Sequence, residues 1–396
     1  MSLFKRLILT FFVLFALSSY IKLFPTHWGN NKENKNSPPK SEWTVMVYMS
    51  GDNDLEEYIV KDIENELAAT GSTAKVQVIA LADRGPDYNK SRDDWQTTKL
   101  FHVNKGMLAN SQSAIADWGE RNMGDKQTLI DFVTWSKTNY PAKHYALYFW
   151  GHGWNWHPGY VMEDDTDNDS LDMDELRSAL PSLGFIDVVG YDGCNMASIE
   201  VDFLWHGHAT AVSSSQEFVD WSGLDYSKII SSLSSHPEMS ADQLAILSTQ
   251  SATNDKTWSA LAVDDRLIPL INALSEWAGY MDKNRKTSLK LFDLSIKSTK
   301  GFADAPLDKD LYNLAEKISL NTSDKILQER SKALMDAFNG AVLNEHHANE
   351  YTNAHGITIS IFDKSKNNNS DLDYYLSLDF PMQTKWGSFL DHYTRQ

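Results

Sequence analysis

The sequence predicts an α/β fold in which a mostly parallel central sheet carries helices on both faces. Short apolar segments rich in β-forming residues alternate with helical patterns through the N-terminal half of the chain. This alternation is typical of parallel β-α-β units. The strand segments are continuously apolar rather than alternating, which indicates burial on both faces of the sheet.

The elements follow one another in a regular order. A strand at residues 44–49 is followed by a loop of turn residues and a helical pattern at 55–69. The further strands of this half are predicted at 76–82, 98–103, 144–150, 186–191 and 209–213, and its further helices at 125–138, 171–180 and 195–205. The C-terminal half predicts mainly helical additions, at 241–251, 264–281 and 308–343, with one late strand at 356–362.

The first 24 residues have the layout of an export signal or an N-terminal membrane anchor. Lys5 and Arg6 precede an apolar run at 7–17, which is shorter than the roughly 20 residues that a membrane span needs. Residues 25–42 are polar and predict a linker, so one domain is expected over 43–396, more helical after about residue 240. We therefore expect an exported protein that is periplasmic, tethered to the membrane or secreted.

Composition excludes some functions. The 396 residues include 36 Lys and Arg against 54 Asp and Glu, a net charge of −18. Such a balance argues against nucleic-acid binding, which needs basic surface, and favours cationic ligands. Cys194 is the only cysteine, so no disulfide forms within a chain, and a monomer is the default expectation. A lone cysteine is either a buried apolar residue or a reactive thiol.

Two glycine-flanked polar segments, 150–153 and 192–195, stand directly after predicted strands. The carboxyl ends of parallel strands meet at one edge of a sheet, so His152 and Cys194 would face each other if their strands are neighbours. A thiolate is a nucleophile, and histidine exchanges protons near neutral pH. The helix predicted at 195–205 would place Cys194 at its N-terminus, which lowers a thiol pKa. The N–H groups of Gly153 and Cys194 could then stabilise an oxyanion. A core cysteine and a core histidine are the competing interpretations.

Three segments carry a family resemblance. Residues 43–55 (WTVMVYMSGDNDL), 146–154 (ALYFWGHGW) and 188–197 (VVGYDGCNMA) resemble the signature segments of the clostripain family of cysteine peptidases, in the caspase-like clan. The resemblance extends over roughly 43–231. It implies a caspase-like sandwich, a catalytic pair of His152 and Cys194, and an oxyanion hole formed by Gly153 and Cys194. It also implies peptide or protein substrates cleaved after Arg or Lys. We expect that no cofactor is required.

Acidic residues near the cysteine bear on substrate preference. In family members that cleave after Arg or Lys, the position two before the cysteine is an acidic pocket residue, which here is Asp192. A carboxylate there would pair with a cationic side chain, although Asp192 could instead cap the following helix. Glu217, Asp220 and Asp225 could add negative charge or could be solvated loop residues. This stretch lacks the glycine-rich character that the family has here, which leaves the details of the substrate pocket open.

Two weaker metal signals are present. Asp165, Asp167 and Asp169 resemble the start of a calcium loop, but Ser170 and Leu176 replace the glycine and glutamate that an EF-hand requires. Because calcium dependence occurs in relatives, these aspartates could form a calcium site that is less regular than an EF-hand. Alternatively, they could belong to a solvated loop. A histidine-rich segment could suggest zinc but lacks the HExxH spacing; its candidate ligands are His346, His347, Glu350 and His355.

These observations predict an exported cysteine endopeptidase. Two alternatives are a peptidase with the same pair of residues but another specificity, and a non-catalytic scaffold that binds peptides or envelope partners. A zinc hydrolase is the least favoured. Arg177 is the only Lys or Arg between His152 and Cys194 and falls in a predicted helix, so no activation cut after a basic residue is expected there.

Overall fold

The computed structural model describes residues 41–86, 88–158, 161–252, 256–302, 305, 307–364 and 369–395. Its strands are β1 (Ser41–Gly51), β2 (Val76–Arg84), β3 (Lys99–His102), β4 (Ala116–Asp117), β5 (Ala142–Trp150), β6 (Ile186–Asp192), β7 (Ala209–Ser214), β8 (Thr257–Ala262), β9 (Asp308–Asp310), β10 (Val342–His347) and β11 (Thr358–Ser360). Nine of these form one sheet, in the order β10-β8-β7-β6-β5-β1-β2-β3-β4.

The centre of this sheet is parallel. Strands β7, β6, β5, β1 and β2 pair in parallel, while β8 and β10 at one edge and β3 and β4 at the other are antiparallel. The predicted mostly parallel sheet is therefore confirmed. Because the five central strands run in one direction, their carboxyl ends all open on the same edge of the sheet.

Helices cover both faces. They are α1 (Glu56–Lys61), which continues as a π-helical stretch (Asp62–Leu67) and α2 (Ala68–Thr70), then α3 (Lys126–Asn139), α4 (Met173–Leu183), α5 (Ile199–Leu204), α6 (Tyr226–Ser235), α7 (Ala241–Thr249), α8 (Leu267–Lys283), α9 (Arg285–Ile296), α10 (Leu311–Asn321), α11 (Lys325–Ala341), α12 (Asn369–Ser377), α13 (Asp379–Gln383) and α14 (Lys385–Thr394). Strand β1 shows how the two layers arise, because Met46 and Tyr48 join one hydrophobic core while Val45 and Val47 join the other.

The two cores differ in the helices that they hold. The core beneath Val45 and Val47 contains α1, the π-helical stretch, α6 and α7. The core on the opposite face contains α3, α4, α5 and the C-terminal helices from α8 onward. The helical additions expected after about residue 240 are thus present, and most of them extend one face of the sandwich.

Two predicted helices need correction, and four strands were not predicted. The helix expected at 195–205 begins at Ile199, because Asn195 has a φ of 59° and the Ser198 side chain caps the helix by accepting from Val201 N–H. The pattern at 308–343 is two helices, since Asp324 starts a new one. The late strand predicted at 356–362 is present as β11, which pairs with β9 in a separate two-stranded sheet, whereas strands β4, β8, β9 and β10 were not predicted.

The N-terminal predictions fall largely outside the described residues. The export segment at 1–24 and the linker up to residue 40 are not described, while Ser41 and Glu42 already belong to β1. The folded domain thus starts two residues before the predicted boundary. In the described part of the chain, no helix combines the length and apolar composition that crossing a bilayer requires.

A buried ion pair joins β2 to α1 near the carboxyl edge of the sheet. Arg84 Nε donates to Glu56 Oε1 at 2.7 Å, and both side chains are 0% exposed. The Arg84 guanidinium also donates to the backbone oxygen of Ser91 and lies 4.7 Å from the centre of the Trp95 ring. Breaking one partner of such a pair leaves a buried charge without its counter-ion.

We predict that Glu56→Gln lowers the free energy of unfolding by about 3 to 5 kcal/mol, because Arg84 would keep its charge in the interior. Urea denaturation measures the change. Asp336→Asn is the matched control, because it removes a carboxylate from an exposed pair with Lys332 and is expected to cost less than about 1 kcal/mol. Equal effects of the two substitutions would contradict the prediction.

Candidate active site

The pairing of β5 with β6 brings His152 and Cys194 to one place. Trp150 pairs with Asp192 in the parallel ladder, and Gly151 N–H donates to the Asp192 oxygen at 3.2 Å. His152 and Cys194 each lie two residues beyond this pair, past the carboxyl ends of neighbouring strands. Both line the same two surface cavities. The structure therefore meets the condition on which the sequence prediction depended.

Glycines let the two segments approach closely. A Cβ atom on Gly153 would lie 2.6 Å from the Cys194 oxygen, and one on Gly193 would lie 2.8 Å from the Gly151 oxygen. Real Cβ atoms do not come this near to a backbone oxygen, so a larger residue at either position would push the segments apart. The glycines thus keep the histidine and cysteine loops in contact.

The imidazole of His152 has a partner that the sequence did not reveal. Its Nε2 lies 2.7 Å from Asp54 Oδ1, with the His152 side chain 30% exposed and that of Asp54 63% exposed. A carboxylate only accepts hydrogen bonds, so Nε2 carries the proton in this contact and Nδ1 is left as the basic nitrogen. Asp54 follows β1, the other neighbour of β5, and that placement is the signal that could have identified it.

Cys194 does not open a helix, contrary to the prediction. Helix α5 begins at Ile199, so the dipole of its first turn is not at the sulfur. The thiol is instead partly exposed, and its sulfur accepts from Val219 N–H at 3.4 Å. A backbone N–H directed at sulfur favours the negatively charged form. The loop is held by Asn195, whose N–H donates to the Glu217 oxygen at 3.2 Å.

A cavity of about 440 Å³ opens beside the sulfur. Its wall includes a stacked pair of aromatic rings, in which Tyr58 and the exposed Trp221 have their centres 5.4 Å apart and their planes at 17°. The residues that line it are Leu55, Tyr58, Trp150, Gly151, His152, Asp192, Gly193, Cys194, Phe218, Val219, Asp220, Trp221, Gly223 and Lys256. It therefore combines apolar walls with a small number of charged groups, as ligand sites generally do.

Asp192 is the buried charge of this cavity. It is 6% exposed, and burial raises the pKa of its carboxyl to about 6, although the Leu224 N–H that donates to Oδ2 at 3.2 Å and the nearby Tyr226 side chain work against the rise. A Cβ on Gly223 would lie 2.8 Å from both carboxylate oxygens, so this glycine leaves room above them. Asp192 does not cap the following helix, because Ser198 does.

The other acidic residues that the sequence suggested for the substrate pocket lie in different environments. Asp220 lines the cavity, as expected of a residue that adds negative charge. Glu217 is buried and does not belong to the cavity lining; its Oε1 accepts from Phe218 N–H at 3.2 Å. Asp225 caps α6 by accepting from Lys228 N–H. Glu217 and Asp225 thus have local structural contacts.

The side chains of the loop that the sequence suggested as a calcium site do not point to a common centre. Asp165 accepts from the Tyr88 hydroxyl at 2.6 Å, and Asp169 accepts from the Asn122 amide at 2.7 Å. Among the described residues, Asp165, Asp167 and Asp169 do not converge on a common point, and calcium binding by these three stays a prediction. The histidine-rich segment likewise forms no metal cluster within the described residues.

Comparisons with known proteins agree with this architecture. A sequence profile of the clostripain family matches residues 47–393. Clostripain from Hathewaya histolytica is 27% identical over 198 residues, an alignment that covers 44% of this chain and only 37% of clostripain. This chain thus spans little more than a third of that relative's length.

Two solved structures share the fold. A secreted C11 cysteine protease from Bacteroides thetaiotaomicron, in complex with an irreversible peptide inhibitor, has a TM-score of 0.66 at 17% identity and covers 88% of this chain and 100% of its own. An inactive zymogen C11 protease from Parabacteroides distasonis has a TM-score of 0.64 at 17% identity and covers 88% of this chain and 99% of its own. The caspase-like fold expected from the sequence is confirmed.

We predict that Asp54→Asn lowers kcat for peptide hydrolysis by about 10- to 100-fold with little change in KM, because an amide can hold the imidazole in the wrong tautomer. Steady-state kinetics measures both constants, and Asp54→Glu should recover part of kcat. Asp167→Asn, an exposed carboxylate of the loop at 163–169, is the control and should retain full activity. An unchanged kcat in Asp54→Asn would show that Asp54 does not position His152.

Proposed function

The chain belongs to the clostripain family, and we propose that it is an exported cysteine endopeptidase that cleaves peptide bonds after arginine or lysine. The observation that carries this proposal is the placement of His152 and Cys194 beyond adjacent parallel strands, at a cavity that holds the buried carboxyl of Asp192. A thiol, a base and a specificity group are thereby grouped at one edge of the sheet.

The proposed reaction uses the thiol and the imidazole in turn. Nδ1 of His152 takes the proton of Cys194, and the sulfur attacks the peptide carbonyl carbon to give a tetrahedral intermediate. Its oxyanion is received by the N–H groups of Gly153 and Cys194. When the C–N bond breaks, His152 gives its proton to the leaving amine. Water then attacks the thioester, loses a proton to His152 and releases the new carboxylate and the free thiol.

The cavity suits a long cationic side chain. The aliphatic part of an arginine or lysine would lie against the Tyr58 and Trp221 rings, and its charge would reach Asp192. A planar guanidinium can pair with both oxygens of a carboxylate and can stack on an aromatic face, which favours arginine over lysine. Among the described residues that line the cavity, Lys256 is the only Lys or Arg, against the two carboxylates of Asp192 and Asp220.

The proposal that the protein is exported or tethered to a membrane is based mainly on its sequence. The charged and apolar pattern of the first 24 residues supports an export signal or an anchor, and the structural relative from Bacteroides thetaiotaomicron is described as secreted. A non-catalytic scaffold is the competing function. Purified protein and its Cys194→Ala variant separate the two, since only an enzyme has an activity that this substitution removes.

We predict that Asp192→Asn lowers kcat/KM for a substrate with arginine before the scissile bond by about 30-fold or more, because removing one partner of a buried charge pair costs about 2 to 5 kcal/mol of binding free energy. The kcat/KM for a matched substrate with citrulline, which has the shape of arginine without its charge, should change little. Fluorogenic peptides that differ only in this residue measure both rates. If Asp192→Asn and the unchanged protein discriminate equally between the two substrates, Asp192 does not select the cation.

A pH dependence follows from the raised pKa of Asp192. The carboxyl is ionised above about pH 6 and becomes neutral below it. The ratio of kcat/KM for the arginine substrate to that for the citrulline substrate should therefore fall as the pH is lowered from 8 to 5. Taking this ratio cancels every protonation step of the reaction that both substrates share. A ratio that does not change with pH would contradict the prediction.

A further inference from the structure

The loop at 215–221, directly after β7, contacts the cysteine and the residue that follows it. Val219 N–H donates to Cys194 Sγ at 3.4 Å, and the Asn195 side-chain amide donates to the Gln216 backbone oxygen at 3.0 Å. Four residues of the same loop line the cavity beside the sulfur. The position of this loop therefore sets both a hydrogen bond to the sulfur and one wall of the cavity.

The Gln216 side chain anchors this loop to the small sheet of β9 and β11. Gln216 is 1% exposed; its Nε2 donates to Asp310 Oδ2 at 3.1 Å, and its Oε1 accepts from Gly356 N–H at 2.9 Å. Both ends of the amide are thus bonded, and a buried amide in this state is costly to displace. Gln216 does not line either cavity that reaches Cys194, so its side chain acts on the site through the loop.

Asp310 is the fixed point to which Gln216 is bound. It ends β9, caps α10 by accepting from Asn313 N–H at 2.7 Å, and is fully buried. His355 supplies two further donors, because its backbone N–H lies 2.6 Å from Oδ2 and its Nδ1 lies 2.9 Å from Oδ1. A carboxylate only accepts, so Nδ1 carries the proton. Together with the Gln216 amide, four donors hold the two carboxylate oxygens in place.

The charge of Asp310 is balanced by a histidine that the sequence had suggested as a zinc ligand. The His355 ring stacks on Tyr312, with the ring centres 4.4 Å apart and the planes at 26°. Burial alone would lower the pKa of His355, but the hydrogen bond and charge of Asp310, with the charges of Glu345 and Glu316, raise it above its ordinary value. The imidazolium form is thus favoured beside the buried carboxylate, which leaves neither charge uncompensated.

We propose that Gln216 is a positioning residue of the peptidase reaction. By linking the loop at 215–221 to Asp310, it keeps Val219 N–H directed at the Cys194 sulfur. An N–H that points at sulfur stabilises the thiolate, so a displaced loop would weaken the nucleophile and reshape the cavity wall. This role rests on the proposed function and adds to it a residue that lies outside the cavity.

Alkylation of the full chain by iodoacetamide tests this role without a substrate, because Cys194 is the only cysteine. Intact mass gives the alkylation rate at each pH, and the midpoint of that profile reports how strongly the thiolate is stabilised. Gln216→Met replaces the amide by an apolar chain of similar length and should move the midpoint upward by about half a pH unit or more. The kcat/KM for an arginine peptide should fall by about tenfold or more. The variant should fold, because Thr257 Oγ1 also holds the loop through Glu217 N–H at 3.1 Å.

An exchange of donor and acceptor provides a rescue. Asp310→Asn places an amide against the amide of Gln216, and Gln216→Glu places a carboxylate against that of Asp310, so each single change should raise the alkylation midpoint and lower kcat/KM. Both changes preserve side-chain size and therefore carry less risk to folding. In the double variant, the new amide can donate to the new carboxylate and the net charge is unchanged. Its midpoint and kcat/KM should lie closer to those of the unchanged protein than either single variant does.

Gln328→Met is the matched control, because Gln328 Nε2 donates to the Thr322 oxygen at 2.9 Å within the C-terminal helices. It should lower the melting temperature without moving the alkylation midpoint. An unchanged midpoint in Gln216→Met, a double variant no better than the single ones, or an equal shift in Gln328→Met would each overturn the proposal. An unchanged protein that is alkylated but hydrolyses no peptide would instead count against the peptidase function, and the midpoints would still decide whether Gln216 positions the loop.

Discussion

The register between β5 and β6 is the constraint on which the rest of the site depends. Pairing of Trp150 with Asp192 in a parallel ladder brings the next two residues of each strand to one edge of the sheet. A shift of one residue would turn the side chains of one strand to the opposite face and separate the imidazole from the sulfur. The apolar residues of both strands hold this register because they fill cores on both faces of the sheet.

Charge is distributed unevenly along that edge. Asp54 contacts the imidazole, Asp192 is buried in the cavity, and the carboxylates of four further residues lie close together beside the loop after β1, namely Asp52, Asp83, Glu120 and Asp164. In our account, Asp54 orients the base and Asp192 selects a cationic side chain. The net charge of −18 expected from composition is thus partly concentrated where it attracts positive ligands.

Local patterns predicted most of the fold, and the reasons for the failures are physical. The parallel strands and their helices were predictable because each is a continuous apolar or amphipathic segment. The start of α5 was not predictable from a local pattern, because the positive φ of Asn195 and the Ser198 cap depend on contacts with residues 215–217. Strands β8 and β10 gain their stability from pairing at the sheet edge, which no local pattern reveals.

The same distinction holds for the site. His152 and Cys194 were predictable because each follows a strand within a distinctive segment. Asp54 and the four neighbouring carboxylates were not predicted, because these residues come together only through the strand order; Asp52 and Asp164 are far apart in the chain. The aspartates at 165–169 attracted a calcium prediction by sequence spacing alone, whereas their side chains turn to different partners in the fold.

The central claim is that Cys194 is a nucleophile activated by His152. Its most direct measurement is labelling of the unchanged protein and of His152→Ala with a peptidyl chloromethyl ketone that carries arginine, followed by intact mass and peptide mapping. Our account predicts one adduct on Cys194, loss of hydrolysis in step with labelling, and much slower labelling in His152→Ala. Full hydrolysis by protein that is completely modified at Cys194, or equal labelling rates in the two proteins, would contradict it.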